Sequence, residues 1–252
     1  MEHLARTTVI LPAGGKGERL ASLTGNRQLN KVAVRVGRLS LIERTLRIWA
    51  RAGVRRFVVL VYHRESSVRD ILGEGRRFGV RVSYSSDPGR PVGRGGAIRL
   101  AIERKLVPLD GPIIVHNPDD QIVRIERRFA RTVMSQHLRA VRRGALATAV
   151  CVPWTEYAYT SFEIRGGMAR SARMYPRVPF PAHIGLTVFE PGVIRLFRKL
   201  IDLRGKTDFE RVIFPELARR GRLGIAMIPA KTWIPVNDLK GYRKLLAALG
   251  VD

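Results

Sequence analysis

The chain of 252 residues contains one cysteine, Cys151. A lone thiol excludes an internal disulfide and a Cys-rich zinc site. Its place in the apolar stretch 145–152 reads as a small core residue. No apolar run approaches the ~20 residues that a membrane span requires. Residues 1–8 carry Glu2, His3 and Arg6 and lead straight into a strand-like run with no apolar signal core, so the protein reads as cytoplasmic. Internal repeats, low-complexity tracts and Pro/Ser-rich linkers are missing as well. His3, His63, His116 and His137 show no metal-ligand spacing. Acidic residues are scarce: 21 against 46 basic ones, 38 of them Arg and 8 Lys, for a net charge of +25. Such a field draws polyanions or concentrates phosphorylated substrates. The arginines are spread along the whole chain, without RGG repeats or regular aromatic–basic interleaving, which disfavours a dedicated nucleic-acid-binding role. With 45% hydrophobic and 27% charged residues the composition is globular, not disordered.

What is present is an alternation of strand and helix. Segments 7–11, 56–62, 80–85 and 112–116 read as short β-branched strands, and 40–52, 65–72 and 93–106 as the helices between them. After Arg124 the rhythm changes. A helix over 125–142 precedes a buried strand over 145–152, then a hairpin from 159–165 and 168–174 around Gly166–Gly167. A strand over 183–189, helices over 192–203 and 207–220, short strands over 224–229 and 232–234 and a closing helix over 238–249 complete the chain. This pattern predicts an α/β fold with a mostly parallel sheet covered on both faces, and ligands beyond the carboxyl ends of its strands. The glycine-rich turn after the first strand and the Asp119–Asp120 pair after the fourth both fall at such ends, so they point at one crevice.

The turn reads LPAGGKGERL, residues 11–20, and opens toward a helix. Gly14, Gly15 and Gly17 let backbone amides approach phosphate oxygens that a Cβ would obstruct, and Lys16 and Arg19 add cationic donors. It is not a P-loop, because no Gly-Lys-Ser/Thr follows at the required spacing. It is not a dinucleotide fingerprint either, because Leu20 stands where the third glycine belongs.

Further segments follow: Lys31 in NKVAVRVGRLSLIERTL, PVGRGGAIRLA (91–101), IIVHNPDD (113–120), HIGLTVFEP (183–191) and WIPVNDLKGYRKLL (233–246). In order and spacing they resemble the nucleotide-sugar pyrophosphorylases, the sugar-1-phosphate nucleotidyltransferases, over nearly the whole chain. The resemblance implies a Rossmann-like αβα sandwich with a mostly parallel, mixed central sheet. It also implies a single domain over 1–252, with a nucleotide-binding half at about 1–123 and a sugar-binding half at about 124–252. The implied reaction is Mg²⁺-dependent: a sugar-1-phosphate oxygen attacks the α-phosphorus of a nucleoside triphosphate, giving an NDP-sugar and pyrophosphate.

The same resemblance implies roles. Leu11, Ala13, Gly14, Gly15, Lys16 and Gly17, with Gly93 and Arg94, would hold the nucleotide. Arg19 would contact the β- and γ-phosphates, and Lys31 would bridge the phosphates of both substrates. Asp119 would ligate Mg²⁺, in preference to Asp120, and Asn237 would supply a second ligand with Asp238 in reserve. Arg173 or Arg177 would bind the sugar phosphate, and His183 and Gly185 would line the sugar pocket; Glu210 reads as structural. The chain departs from the family pattern at Pro118, at Pro235 and at a lysine missing near Tyr175. Those departures keep a second reading open, a non-catalytic regulatory homologue that binds nucleotide or sugar phosphate. A nucleic-acid-binding protein is the least favoured alternative. Assembly into a homo-oligomer is left open.

Overall fold

A computed structural model describes residues 2–25 and 28–251. Seven strands form one sheet: β1 (Thr8–Ala13), β2 (Arg56–Val61), β3 (Arg81–Ser86), β4 (Ile113–His116), β5 (Ala147–Val152), β6 (Ala182–Phe189) and β7 (Leu223–Met227). Their spatial order is β3-β2-β1-β4-β6-β5-β7. Only β6 runs against its neighbours β4 and β5; every other pairing is parallel. The sheet is therefore mixed and mostly parallel, as expected. It draws four strands from the first half of the chain and three from the second.

Alternation along the strands sorts side chains to two cores. Val9 and Leu11 of β1 and Phe57, Val59 and Val61 of β2 face one layer. There they meet Ile42, Leu46 and Trp49 of α1 (Leu41–Arg51) and Phe129 and Val133 of the long Glu126–Arg142 helix. Ile10, Val58 and Leu60 face the other. They meet Ala97 and Ile98 of the Gly93–Glu103 helix and Phe209 and Ile213 of the Phe209–Arg219 helix. A third, smaller cluster joins Leu20, Val34, Val36 and Leu41 to Ile234, Val236 and Leu245 beneath the closing Leu239–Leu249 helix.

Two expectations change. The glycine turn does not open into an α-helix. Gly17 takes a left-handed φ of 65°, and a 3₁₀ segment follows over Glu18–Leu23, broken at Leu20, whose side chain is drawn into the third cluster. The expected helix over 192–203 is shorter, with Pro191–Val193 forming a 3₁₀ turn before Ile194–Leu200. Proline fits such a first turn because its missing N–H would have had no partner there. The hairpin is where the sequence placed it, Thr160–Arg165 against Met168–Met174. A short antiparallel pair, Asp120–Ile122 with Trp233–Pro235, lies outside the main sheet. No helix among the described residues is long and apolar enough to cross a membrane.

Candidate active site

A cleft of about 650 Å³ runs over the carboxyl ends of β4, β1, β2 and β3. The glycine turn forms part of its wall, with Lys16 and Arg19 exposed in the lining. A Cβ at Gly17 would lie 2.7 Å from the Cβ of Lys31, so glycine is what lets the turn close onto that lysine. Buried Asn30 fixes the approach. Its Nδ2 donates to the carbonyls of Ala13 (2.7 Å) and His63 (2.6 Å), and its Oδ1 accepts from the Val32 amide at 3.1 Å. Sequence reasoning passed over Asn30. The signal was there, since an Asn before a short apolar run is a capping residue.

Lys31 sits at the centre. Its ammonium donates to the Asp119 carboxylate and, at 2.9 Å, to Asn237 Oδ1. Three residues far apart in sequence thus meet at one point. The Asp120–Ile122 and Trp233–Pro235 pair brings Asn237 there, and the Val236 amide extends it by donating to the Asp119 carbonyl at 2.8 Å. Asp238, not Asn237, caps the closing helix, accepting from the Gly241 amide at 2.8 Å. This leaves the Asn237 side chain to face the cleft.

Asp120 behaves differently from Asp119. It is buried, accepting from Trp233 Nε1 at 2.9 Å and Asn117 Nδ2 at 3.2 Å. Burial, then the neighbouring Asp119 charge, raise it above the usual carboxylate range. Gly185 stands behind it, inside the irregular stretch of β6 between His183 and Thr187. Its carbonyl accepts from the Asn117 amide at 3.0 Å. A Cβ there would come within 2.1 Å of Asp120 Oδ2.

Two imidazoles, His116 buried and His183 half-buried, support this region. Trp49 Nε1 donates to His116 Nδ1 at 3.0 Å, which leaves His116 Nε2–H to donate to the Asp120 carbonyl at 3.0 Å. His183 directs Nε2 at the Leu186 carbonyl (3.0 Å) and meets the Phe214 ring edge-on at 5.2 Å. Burial lowers each to about 4. Both are therefore neutral in the folded protein but titrate near 6.5 once unfolded. Their stabilisation is complete above pH ~6.5 and is lost as the pH falls toward 4, by about 2–3 kcal/mol for each imidazole. Asp120, raised by burial, gains stability over the same fall in pH, so urea midpoints measured from pH 7.5 to 4.5 should drop by less than the two imidazoles alone would give. In His183→Asn the drop should be shallower.

The other expected site residues fare unevenly. Arg94 lines the cleft, held by Asp208 Oδ1 (3.2 Å), Glu210 Oε2 (2.9 Å) and Asn117 Oδ1 (3.5 Å). Gly93, at φ 76°, lets the 205–208 segment press against the helix start; a Cβ there would lie 2.7 Å from the Thr207 backbone. Glu210, read as structural, tethers Arg94. Leu11 does not reach the cleft, because its side chain is fully buried in the core beneath β1. His183 does not line it either, since its ring is turned to Leu186 and Phe214. Arg173 and Arg177 lie on the exposed excursion that leaves the sheet after β5. Arg177 stacks 4.3 Å over Trp154, and neither residue lines the cleft. Lys206, Asp208, Tyr62 and Asp87 line it and were not anticipated. Tyr62 and Asp87 directly follow β2 and β3, so the rule that located Asp119 would have found them too.

Among the described residues no group of three or more His, Cys, Asp or Glu side chains forms a metal cage. Asp119 and Asn237 instead offer two oxygens at one point.

A family model described as nucleotidyl transferase matches residues 7–249. Among solved structures, a Bacillus anthracis protein assigned as a glucose-1-phosphate thymidylyltransferase, in complex with sucrose, is similar with a TM-score of 0.73 at 18% identity, over 98% of this chain and 96% of that one. This second likeness is one of fold. The family match, by contrast, runs through every segment that builds the cleft, from the glycine turn to the closing helix: the chain belongs to the nucleotidyl transferase family.

Proposed function

We propose that the protein transfers a nucleotidyl group from a nucleoside triphosphate to a sugar-1-phosphate, with Mg²⁺, releasing pyrophosphate. The observation that carries this reading is the meeting of Lys31, Asp119 and Asn237 beside the glycine turn. The donor set fits the metal. A carboxylate and an amide carbonyl are hard oxygen ligands, and Mg²⁺ ordinarily takes one or two of these and fills its octahedron with phosphate and water. Bound there, it would supply charge neutralisation to the phosphate oxygens.

The chain's own residues do the rest. Backbone amides of Gly14–Gly17, with Lys16 and Arg19, receive the triphosphate. The Lys31 ammonium stands where charge accumulates between the two reactants. The acceptor's phosphate oxygen is already an anion at neutral pH, so no side chain need take a proton. One P–O bond forms at the α-phosphorus as the α–β bridge breaks, and the electron pair leaves on pyrophosphate. Positioning and electrostatics carry such a step. Arg94, which reaches Asn117, and Lys206 of the cleft lining are the cations that would receive the acceptor.

The departures that favoured a binding-only homologue leave the site oxygens in place. Pro235 pairs with Asp120 in the small sheet while Asn237, two residues on, reaches Lys31. The Pro118 carbonyl accepts from Gln121 Nε2 at 2.6 Å. Asp119→Asn is expected to fold normally and to lose about 10²–10³-fold in pyrophosphate release. Near-normal kcat/KM in that variant would remove Asp119 from the mechanism. Nucleotide binding without any turnover in the wild type would favour the regulatory homologue.

A further inference from the structure

The cleft changes character along its length. Beside β1 and β4 it carries Lys16, Arg19 and Lys31, cations suited to phosphates, and the Asp119 carboxylate at that end is paired with Lys31, whereas Asp87 forms no ion pair among the described residues. At the β2–β3 end the lining becomes Leu60, Tyr62, Pro91 and Ala97, with the Asp87 carboxylate among them. A polyphosphate is repelled by a carboxylate, whereas a flat heterocycle suits apolar walls. The nucleotide's base therefore belongs at this end.

Asp87 is held in place there. Its Oδ2 accepts from the Val92 amide at 3.2 Å, its own amide donates to Val61 O at 3.2 Å, and its carbonyl accepts from Gly89 N at 2.9 Å. Arg104 approaches from behind, with Nη1 on Ser85 Oγ (2.9 Å) and the Ser86 carbonyl (2.6 Å). Burial raises the Asp87 pKa, opposed by the Val92 amide and by Arg104. A partly desolvated carboxylate gains from any donor that a ligand brings.

We infer that Asp87 reads the nucleobase, and that the nucleotide taken by this site is a guanine nucleotide. An ionised carboxylate only accepts hydrogen bonds, and with about four lone-pair positions it has room for more than the Val92 amide. Guanine presents an N1–H and an exocyclic amine side by side, two donors for one carboxylate. Uracil and thymine present a single N–H between two carbonyls, which face the carboxylate with like charge. Adenine and cytosine offer one amine beside an acceptor nitrogen. A site built around a specific donor–acceptor match rejects analogues that leave it unpaired. This inference rests on the nucleotidyl-transfer reading, and it names the base that the reading leaves open.

The test is equilibrium binding, measured by titration calorimetry on the full chain with Mg²⁺, of GTP, ATP, CTP and UTP and of inorganic pyrophosphate. GTP should bind tightest, roughly 10–100-fold ahead of UTP. Asp87→Asn should shrink that ratio by about 10-fold while leaving pyrophosphate, which has no base, bound as before. A wild type that binds UTP or another base as well as GTP overturns the inference, and so does a variant with an unchanged ratio. If the variant fails to fold, the wild-type order alone decides. Failure of all four triphosphates to bind would overturn the nucleotidyl-transfer reading itself, a result distinct from a wrong base.

Discussion

Lys31→Met is expected to lower kcat/KM for pyrophosphate release by about 10²–10³-fold while leaving the fold intact. The lysine's stem packs against Gly17 and methionine keeps that stem, so the loss falls on the ammonium. The same substitution should tighten Mg²⁺ binding in the absence of nucleotide. The ammonium donates to the Asp119 carboxylate and the Asn237 carbonyl, the two oxygens proposed as metal ligands, and competes with a divalent cation for them. Calorimetric titration of wild type and variant with Mg²⁺ alone checks this. Weaker metal binding in the variant would mean that Lys31 organises the ligands instead of blocking them. Unchanged turnover would remove Lys31 from the reaction.

Gly185→Ala should be strongly destabilising for a single added methyl group. Its φ of 70° is left-handed, which costs an L-residue roughly 1–2 kcal/mol by itself. The new Cβ would also lie 2.1 Å from Asp120 Oδ2 and 2.3 Å from Asn117 Nδ2. Side-chain ends often give way cheaply. These cannot, because Asp120 is buried and held by Trp233 and Asn117. A loss of about 3–5 kcal/mol in urea unfolding is expected, in the range that only a few mechanisms reach. Gly166→Ala is the control. Its φ is 56°, but no atom lies within 4 Å of the added Cβ, so it should lose only the strain, about 1–2 kcal/mol. Equal losses at the two positions would show that the packing behind Asp120 is looser than these distances imply.

What the sequence made legible follows from how local each signal is. The strands could be read because runs such as 56–61 are β-branched and short, and strand ends locate a cleft in this class of fold. The glycine turn and the Asp119–Asp120 pair were legible in that way, whereas Lys31 came only from the resemblance, and the sequence could not say that Lys31 and Asp119 touch. The glycine turn was found, but not the 3₁₀ segment after it, since Leu20 breaks the helix to reach a cluster built from residues 34–36 and 234–245. Residues whose roles depend on chain return were missed or misplaced. Asn30 works through the carbonyls of Ala13 and His63, and Arg94 is set by Asp208 and Glu210, more than a hundred residues away. His183 went wrong for the reverse reason: the irregularity in β6 turns its ring away from the cleft, and nothing in the local pattern announces that turn.

The small pairing of Asp120–Ile122 with Trp233–Pro235 has a consequence for synthesis. Trp233 meets Asp120 across 113 residues, and Asn237 follows a few positions later. As the polypeptide is made, the glycine turn, Lys31 and Asp119 all emerge well before the residues that complete their surroundings. A nascent chain can therefore form most of its sheet while the proposed reaction centre stays unfinished, and chains stopped before Trp233 would be inert however well their first half had folded.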